Sequence, residues 1–399
     1  MENTTIKILG KPVNEIKERI ERVENSLMEV KYKLPLNITF LTFLGKKISI
    51  PERMQSYKVP GVSISVINNY EIEWAKSFGV KDVRTKNIVT TDTLFEAGST
   101  SKALTATAVL HLVEKNLLNL DGSVNNKLVT WRIPDNKYTK EMKINLRHLL
   151  THTSGINRPD GGFDIEKENI PTLNQVLNGE PPAVNDPVKV LTFPGKKHDY
   201  SNFGYIIIQK LLEDVSGTSF PNIMKRIVLE PLEMNNSTFD YSSEELKKKT
   251  TVPHDENGEA KELGLHPTAF AHGGLLTTPL DLDKYVVELM NAYNGKSSRI
   301  LSSSMVKKMF TPEAMLNPKE LMGFTGQGLG FFIIEKEKDV FFIHPGTNMP
   351  GATCNMIGCA ETGQGVVIMT NGINGGLLSL EILFSIAQEY KWSLWEKSA

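Results

Sequence analysis

A chain of 399 residues with 45 Lys and Arg against 46 Asp and Glu carries a net charge of −1. That balance offers no footing for nucleic-acid binding or for a strongly charged partner. No apolar run reaches the roughly 18 residues a membrane helix needs, so no transmembrane segment is expected. The length suits two lobes better than one core.

Residues 1–12, MENTTIKILGKP, lack the apolar segment of a signal peptide. As written the chain reads as cytoplasmic; a periplasmic or extracellular site would require that a leader had been removed. Val13, Ile16, Ile20, Val23, Leu27, Val30 and Leu34 recur at alternating three- and four-residue spacings among Glu, Lys and Arg. This predicts an amphipathic helix over 13–34. Its stripe could serve a coiled coil, and hence a homo-oligomer, or dock on the chain's own core. Leu36 to Leu44 reads as a peripheral strand. Next, VSISVI and YEIEWAKSFG around Asn68-Asn69 predict a hairpin with a tight turn.

The stretch Phe95 to Val113, FEAGSTSKALTATAVLHLV, is the most unusual in the chain. Between Gly98 and Val113 the only formal charge is Lys102, so the predicted helix is buried nearly all round. A lysine in the first turn meets an unfavourable helix dipole and surroundings that disfavour charge, which lets it take up a proton from a neighbour. Ser99 lies one turn earlier on the same face. A nucleophile, a base and the Ser99 N–H as an oxyanion donor thus come from four residues. The plainer alternative is an N-capping serine beside a snorkelling lysine. Ser304 and Lys307 repeat the spacing, but in an amphipathic helix with Lys308 adjacent, which reads as a capped surface turn.

From Ile144, INLRHLLTHTSGI predicts a helix stopped by Gly155. His148 and His152 are spaced as in a zinc helix, yet Leu149 stands where a metalloprotease carries its glutamate; structural roles are expected, and no metal. Residues 157–196 form a Pro- and Gly-rich connection with one short helix near Thr172–Leu177, of the kind that often borders a binding site. Helices follow at Tyr205–Val215 and Phe220–Leu229, closed by Gly217 and Pro231, then at about Leu280–Ala292 and Ser303–Phe310. Towards the C-terminus GFFIIE, VFFIH, ATCNMIG and GVVIMTNG predict four strands, and LLSLEILFSIAQEY a final amphipathic helix. Cys354 and Cys359, five apart in one strand, point to opposite faces and are expected to be free thiols.

The fold class that follows is α/β (α+β): an antiparallel sheet built from both chain ends, flanked by helices, with a mainly helical lobe inserted. The expected divisions are an N-terminal helix and extension (1–48), a sheet lobe (49–98 with 265–399) and the helical lobe (99–264), together one catalytic domain.

Ser99-Thr100-Ser101-Lys102, Tyr200-Ser201-Asn202 and His344-Pro345-Gly346, in that order and setting, resemble the three motifs of the serine β-lactamase and penicillin-binding-protein superfamily. Within it the chain is most similar to the branch of class C β-lactamases, D-amino-acid peptidases and esterases, over roughly residues 50–390. The resemblance implies that Ser99 is the acylated nucleophile and Lys102 its proton partner. Tyr200 would share the base role and protonate the leaving group. Asn202 would orient Lys102 and hydrogen-bond the substrate amide. The Thr347 N–H would join that of Ser99 in an oxyanion hole, with His344 and Gly346 lining the substrate site. No metal or organic cofactor is implied, and the partner is a small acyl substrate. His272-Gly273-Gly274 also fits His-x-Gly, but precedes a loop entering a helix and is expected to be a close-packed wall near the pocket.

His344 occupies a position where many relatives have lysine. A neutral imidazole grips a carboxylate less strongly, which argues for ester-type activity over β-lactam hydrolysis. The implied function is a serine hydrolase cleaving a short acyl ester, a D-amino-acid peptide or a β-lactam. The alternative is a slow-acylating penicillin-binding receptor or a catalytically silent scaffold. An α/β-hydrolase triad is set aside, because no serine sits in a Gly-x-Ser-x-Gly elbow.

Overall fold

The computed structural model of the protein describes residues 4–31, 42–158, 170–263, 267–318 and 323–395. Its strands, in chain order, are β1 (Thr4–Ile8), β2 (Leu27–Lys31), β3 (Thr42–Ile48), β4 (Gly61–Asn68), β5 (Glu71–Gly79), β6 (Phe95–Glu96), β7 (Leu276–Thr277), β8 (Ala314–Met315), β9 (Gly326–Gln327), β10 (Phe332–Lys336), β11 (Asp339–Asn348), β12 (Ala352–Cys359) and β13 (Gln364–Thr370). Nine of them form one sheet in the order β1-β5-β4-β13-β12-β11-β10-β9-β8, and its neighbouring strands pair antiparallel. Central β13 pairs with β4, so the two chain ends close on each other.

The helices are α1 (Val13–Glu24), α2 (Ile50–Tyr57), α3 (Ser101–Glu114), α4 (Lys137–Glu141), α5 (Leu146–Leu150), α6 (Leu173–Asn178), α7 (Asn202–Ser216), α8 (Phe220–Met224), α9 (Glu244–Lys249), α10 (Pro279–Tyr293), α11 (Ser303–Phe310) and α12 (Gly375–Glu389). Strand alternation feeds two cores. Val66, Ile357, Val366 and Ile368 face α1, α2 and α12. Met356, Val367 and Met369 face α3, α10 and the helical insertion. Cys354 and Cys359 divide between those cores as free, buried thiols, as the five-residue spacing requires. No described helix is long and apolar enough to cross a membrane.

Three local expectations need correction. The first helix ends at Glu24, not at residue 34. Asn25 and Ser26 are weak helix formers, and Leu27 keeps its buried place as the first residue of β2. Leu34 lies outside the described residues, as does most of the Leu36–Leu44 stretch. The apolar face of α1 (Ile16, Ile20, Val23) docks on the chain's own core, where Ser385 Oγ donates to the Val23 carbonyl at 2.8 Å and Arg22 pairs with Glu389. β1, preceding it, joins the sheet as an edge strand, which the sequence did not announce.

Second, the helix from Ile144 is a single turn and a half, α5, boxed at its start by Asn145 and His148. It stops because His152 already takes the left-handed conformation (φ 55°); Gly155, also left-handed (φ 70°), lies in the loop beyond. Third, the β4–β5 turn is centred on Asn69 and Tyr70, both with positive φ, one residue later than expected and in keeping with a two-residue primed turn. The helices after residue 200 stand within a few residues of their predicted limits, and α7 closes on Gly217 in the left-handed region.

Candidate active site

β6 leads into a single 3₁₀ turn, Gly98–Thr100, and straight on into α3. Ser99 sits half-buried in that turn. Gly98 adopts φ +52°, and a Cβ there would lie 2.6 Å from the Thr347 nitrogen, so only glycine fits. Ser101 fixes the turn from behind. Its Oγ donates to the Gly98 carbonyl at 2.7 Å and accepts from the Leu275 N–H at 3.0 Å. Lys102 is 0% exposed. Its Nζ donates to Ser99 Oγ at 2.9 Å and to the His272 carbonyl at 2.6 Å, and lies 5.0 Å over the Tyr200 ring. The plainer reading of this motif therefore fails. Neither the 3₁₀ turn nor α3 has a side-chain N-cap bond, and Lys102 reaches no solvent.

The second wall is β11. Its pairing with β10 ends at Ile343, which frees the edge of His344–Asn348 to meet the Ser99 turn. A Cβ on Gly346 would run into the Ala97 carbonyl oxygen and come within 3.0 Å of the Ser99 nitrogen. Thr100 Oγ1 donates to the His344 carbonyl at 3.0 Å, and Asn348 Nδ2 donates to Glu96 at 2.8 Å and to the Gly273 carbonyl at 3.1 Å. The backbone nitrogens of Ser99 and Thr347 are thus brought to the same small region. His272-Gly273-Gly274 forms the wall expected of it.

Tyr200 lies in the extended segment before α7. His152 organises that segment: its carbonyl accepts from Asp199 N–H at 2.7 Å, and its Nδ1 accepts from Ser201 N–H at 3.2 Å. The His152 ring stacks on Tyr200 with centroids 4.0 Å apart, and His198 meets His152 edge-on at 5.9 Å. On the other side Phe332 lies parallel to Tyr200 at 6.2 Å and stacks on Phe324 at 4.5 Å. His344 is 1% exposed, its ring 5.7 Å from Phe332.

All three imidazoles are held neutral at pH 7. Burial pushes His344 down to about 3, with the Lys102 charge adding to it. Burial and then Lys102 push His152 well below its ordinary value, and burial lowers His198. Desolvation disfavours the charged imidazolium in each case.

Ser99, Tyr200, Gly346 and Thr347 open on a cavity of about 580 Å³. Phe324 and Phe332 form one apolar wall, and Ile373, Leu377 and Leu380 the opposite one, with Asn355 and Asn374 as neutral polar groups. Among the described lining residues none is Lys, Arg, Asp or Glu. Lys102 and His344 stand behind the cavity rather than on its surface. Asn202, the half-buried first residue of α7, does not line it either. His198, Phe324 and Phe332 were missed from sequence. His198 carried a faint signal, two residues before Tyr200 on an extended segment, but the two phenylalanines look like any core residue. A separate groove of about 440 Å³ by Met54, Phe78 and Val83 has Lys58 as the one titratable group among its described lining residues.

An antiparallel sheet closed by both chain ends, with Ser-x-x-Lys at the head of a buried helix facing an edge segment of that sheet, defines the β-lactamase and transpeptidase class of fold. Residues 49–377 match the family model described as Beta-lactamase, and the chain belongs to that family. It is 26% identical over 282 residues to "Protein flp" of Staphylococcus aureus (strain MW2), a match covering 69% of this chain and 54% of that protein. The chain thus spans about half the length of that curated relative. Among solved structures it is similar to an octameric penicillin-binding protein homologue from Pyrococcus abyssi (TM-score 0.69, 28% identity, 85% of this chain and 77% of that one). The fold is also that of the D-amino acid amidase from Ochrobactrum anthropi SV3 (TM-score 0.67, 20% identity, 85% and 97%).

Proposed function

We propose that this chain is a serine hydrolase that cleaves a short ester or amide through an acyl-enzyme on Ser99. The observation that carries the proposal is the 2.9 Å contact between the fully buried Lys102 Nζ and Ser99 Oγ. In water-exposed surroundings such a pair would be idle; desolvated, it can exchange a proton with a serine poised at a carbonyl.

Ser99 Oγ attacks the carbonyl carbon while its proton passes to the Lys102/Tyr200 pair, in which the amine lies 5.0 Å over the phenol ring. The N–H groups of Ser99 and Thr347 receive the developing oxyanion. Tyr200 protonates the leaving group, and water activated by the same pair releases the acid. Asn202, from the start of α7, orients Lys102 and bonds the substrate amide. His344, neutral and buried, keeps the third-motif strand close to Lys102 without adding a second positive charge.

The lining of the cavity supports a neutral substrate. Apolar walls and carboxamides favour an acyl group without charge, and the described lining residues offer no cation to a β-lactam or C-terminal carboxylate. Weak or absent β-lactam turnover beside measurable p-nitrophenyl acetate hydrolysis is therefore expected. Intact-protein mass spectrometry after mixing with benzylpenicillin, or with a p-nitrophenyl ester, tests both the nucleophile and the outcome. Rapid p-nitrophenol release without a lasting adduct supports the hydrolase. A persistent penicilloyl adduct absent from Ser99→Ala would favour a slow-acylating receptor instead. Full turnover by Ser99→Ala would remove the assignment altogether.

A further inference from the structure

We propose that Asp339, Cys359 and Glu361 form a binding site for one zinc ion at the end of the sheet remote from Ser99. Asp339 opens β11, Cys359 closes β12, and Glu361 sits in the turn to β13. One ligand atom from each lies within 4.8 Å of the others. Cys359 Sγ and Glu361 Oε2 are already 3.7 Å apart, and two donors on a tetrahedral zinc with bonds of about 2.0–2.3 Å stand about 3.5 Å from each other. Closing the third corner needs a movement on the order of 1 Å.

An independent observation points the same way. Asp339 is only 5% exposed, and its Oδ1 is buried without a hydrogen-bond partner, although Oδ2 accepts from Ser393 Oγ. Neither Asp339 nor Glu361 makes an ion pair among the described residues. A buried carboxylate with an orphaned oxygen and no cation is unfavourable; a divalent ion supplies the missing charge.

The donor set selects the metal. Two carboxylates would suit calcium or magnesium, but a sulfur donor and a count of three do not. Thiolate with carboxylate suits zinc, which would complete its shell with one water. The ligands are also braced from outside, as metal ligands usually are: Ser393 holds Asp339, and the Val340 N–H donates to Glu361 Oε2 at 3.0 Å. On binding, the Cys359 proton passes to solvent and the thiolate bonds the ion. Asp339 and Thr347 are eight residues apart on one strand, about 26 Å at 3.3 Å per residue. The ion would therefore tie together β11, β12 and the turn to β13 without touching the catalytic end.

Chelator-stripped full-length protein, titrated with zinc against a chromophoric competitor, tests this. One equivalent should bind, and cobalt in its place should give a near-ultraviolet thiolate charge-transfer band. Asp339→Asn and Cys359→Ser should each weaken binding at least tenfold, and Cys359→Ser should abolish the band, while Cys354→Ser keeps both. Glu361→Gln, at the half-buried ligand, gives the same reading where a buried variant fails to fold. Failure to bind one equivalent, or an unchanged affinity and band in Cys359→Ser, overturns the proposal.

Discussion

Gly346→Ala adds one methyl group between β11 and the Ser99 turn, and the consequences follow from what it meets. The new carbon would collide with the Ala97 carbonyl oxygen, stand 2.9 Å from Thr100 Oγ1 and 3.0 Å from the Ser99 nitrogen. Two of these neighbours are backbone atoms of the turn that carries Ser99, so no side-chain rotation relieves them. The strand and the turn must separate, by something on the order of 1 Å, which splits the two N–H groups meant to share an oxyanion. Overpacking of this kind costs about 1–3 kcal/mol in stability. Loss of one oxyanion donor costs about 100- to 1,000-fold in kcat. Steady-state hydrolysis of p-nitrophenyl acetate, with thermal unfolding measured alongside, should therefore show a turnover loss far larger than the loss of stability explains. Gly376→Ala is the control, because a Cβ there meets nothing within 4 Å although the residue borders the same cavity; its kcat should stay within a factor of about 3. Wild-type turnover in a folded Gly346→Ala protein would refute the shared oxyanion site.

Other expectations rest on separate parts of the molecule. Lys102→Met should reduce turnover by about 100-fold or more yet leave the melting temperature level or higher, because it removes a desolvated ammonium at the expense of one donor to the His272 carbonyl; a large fall in melting temperature would contradict this. The unfolded chain protonates His344 near 6.5, whereas the folded chain keeps it neutral down to about 3. Stability is therefore full above pH 6.5 and falls through that window, by about 1.4 kcal/mol per pH unit from this residue alone; urea melts of His344→Gln between pH 7 and 5 should show a shallower decline, and an equal slope would exclude the account. Removing residues 1–26 strips Ile16, Ile20 and Val23 from the α12 core, a loss of about 5–9 kcal/mol at 1.5–3 per side chain. Against a total of about 5–15, the truncated chain should unfold or aggregate, and a stable truncated protein of altered oligomeric state would instead point to α1 as an assembly device.

Much of this architecture was legible because periodicity and position agree. The β4–β5 hairpin, the four C-terminal strands and α10 each pair a clear hydrophobic period with turn or cap residues. The head of α3 was legible because one lysine in an otherwise uncharged run is hard to explain as packing. Legibility stopped where a residue serves two patterns. Leu27 fits both the helical stripe of α1 and an inward strand position, and only Asn25 and Ser26 decide between them. His152 is another case. A histidine with positive φ ending α5 runs against local propensity and is stabilised by Tyr200 and His198, which are distant in sequence. Phe324 and Phe332 have no local signature, since a pocket wall and a core use the same side chains. Asp339 is brought to Cys359 and Glu361 only by the β11–β12 register.

The same register makes the active site a late product of folding. α3, α5, α7 and α8 pack through contacts largely within the insertion, while the strand that faces Ser99 arrives from the C-terminal part of the chain. β13 must pair with β4 across nearly the whole sequence before β11 can lie against the Ser99 turn, for example Ile368 opposite Ile64. Local helical contacts form faster than long-range strand pairing, because loop closure comes before any gain from the pairing. On dilution from denaturant, far-ultraviolet ellipticity should therefore recover ahead of p-nitrophenyl acetate turnover. Cys354 lies on β12 and is 1% exposed, and its protection from a thiol reagent should return with turnover rather than with ellipticity. Recovery of all three signals in a single shared phase would mean that sheet closure precedes or accompanies helix formation, and that the insertion does not fold ahead of the sheet that completes its site.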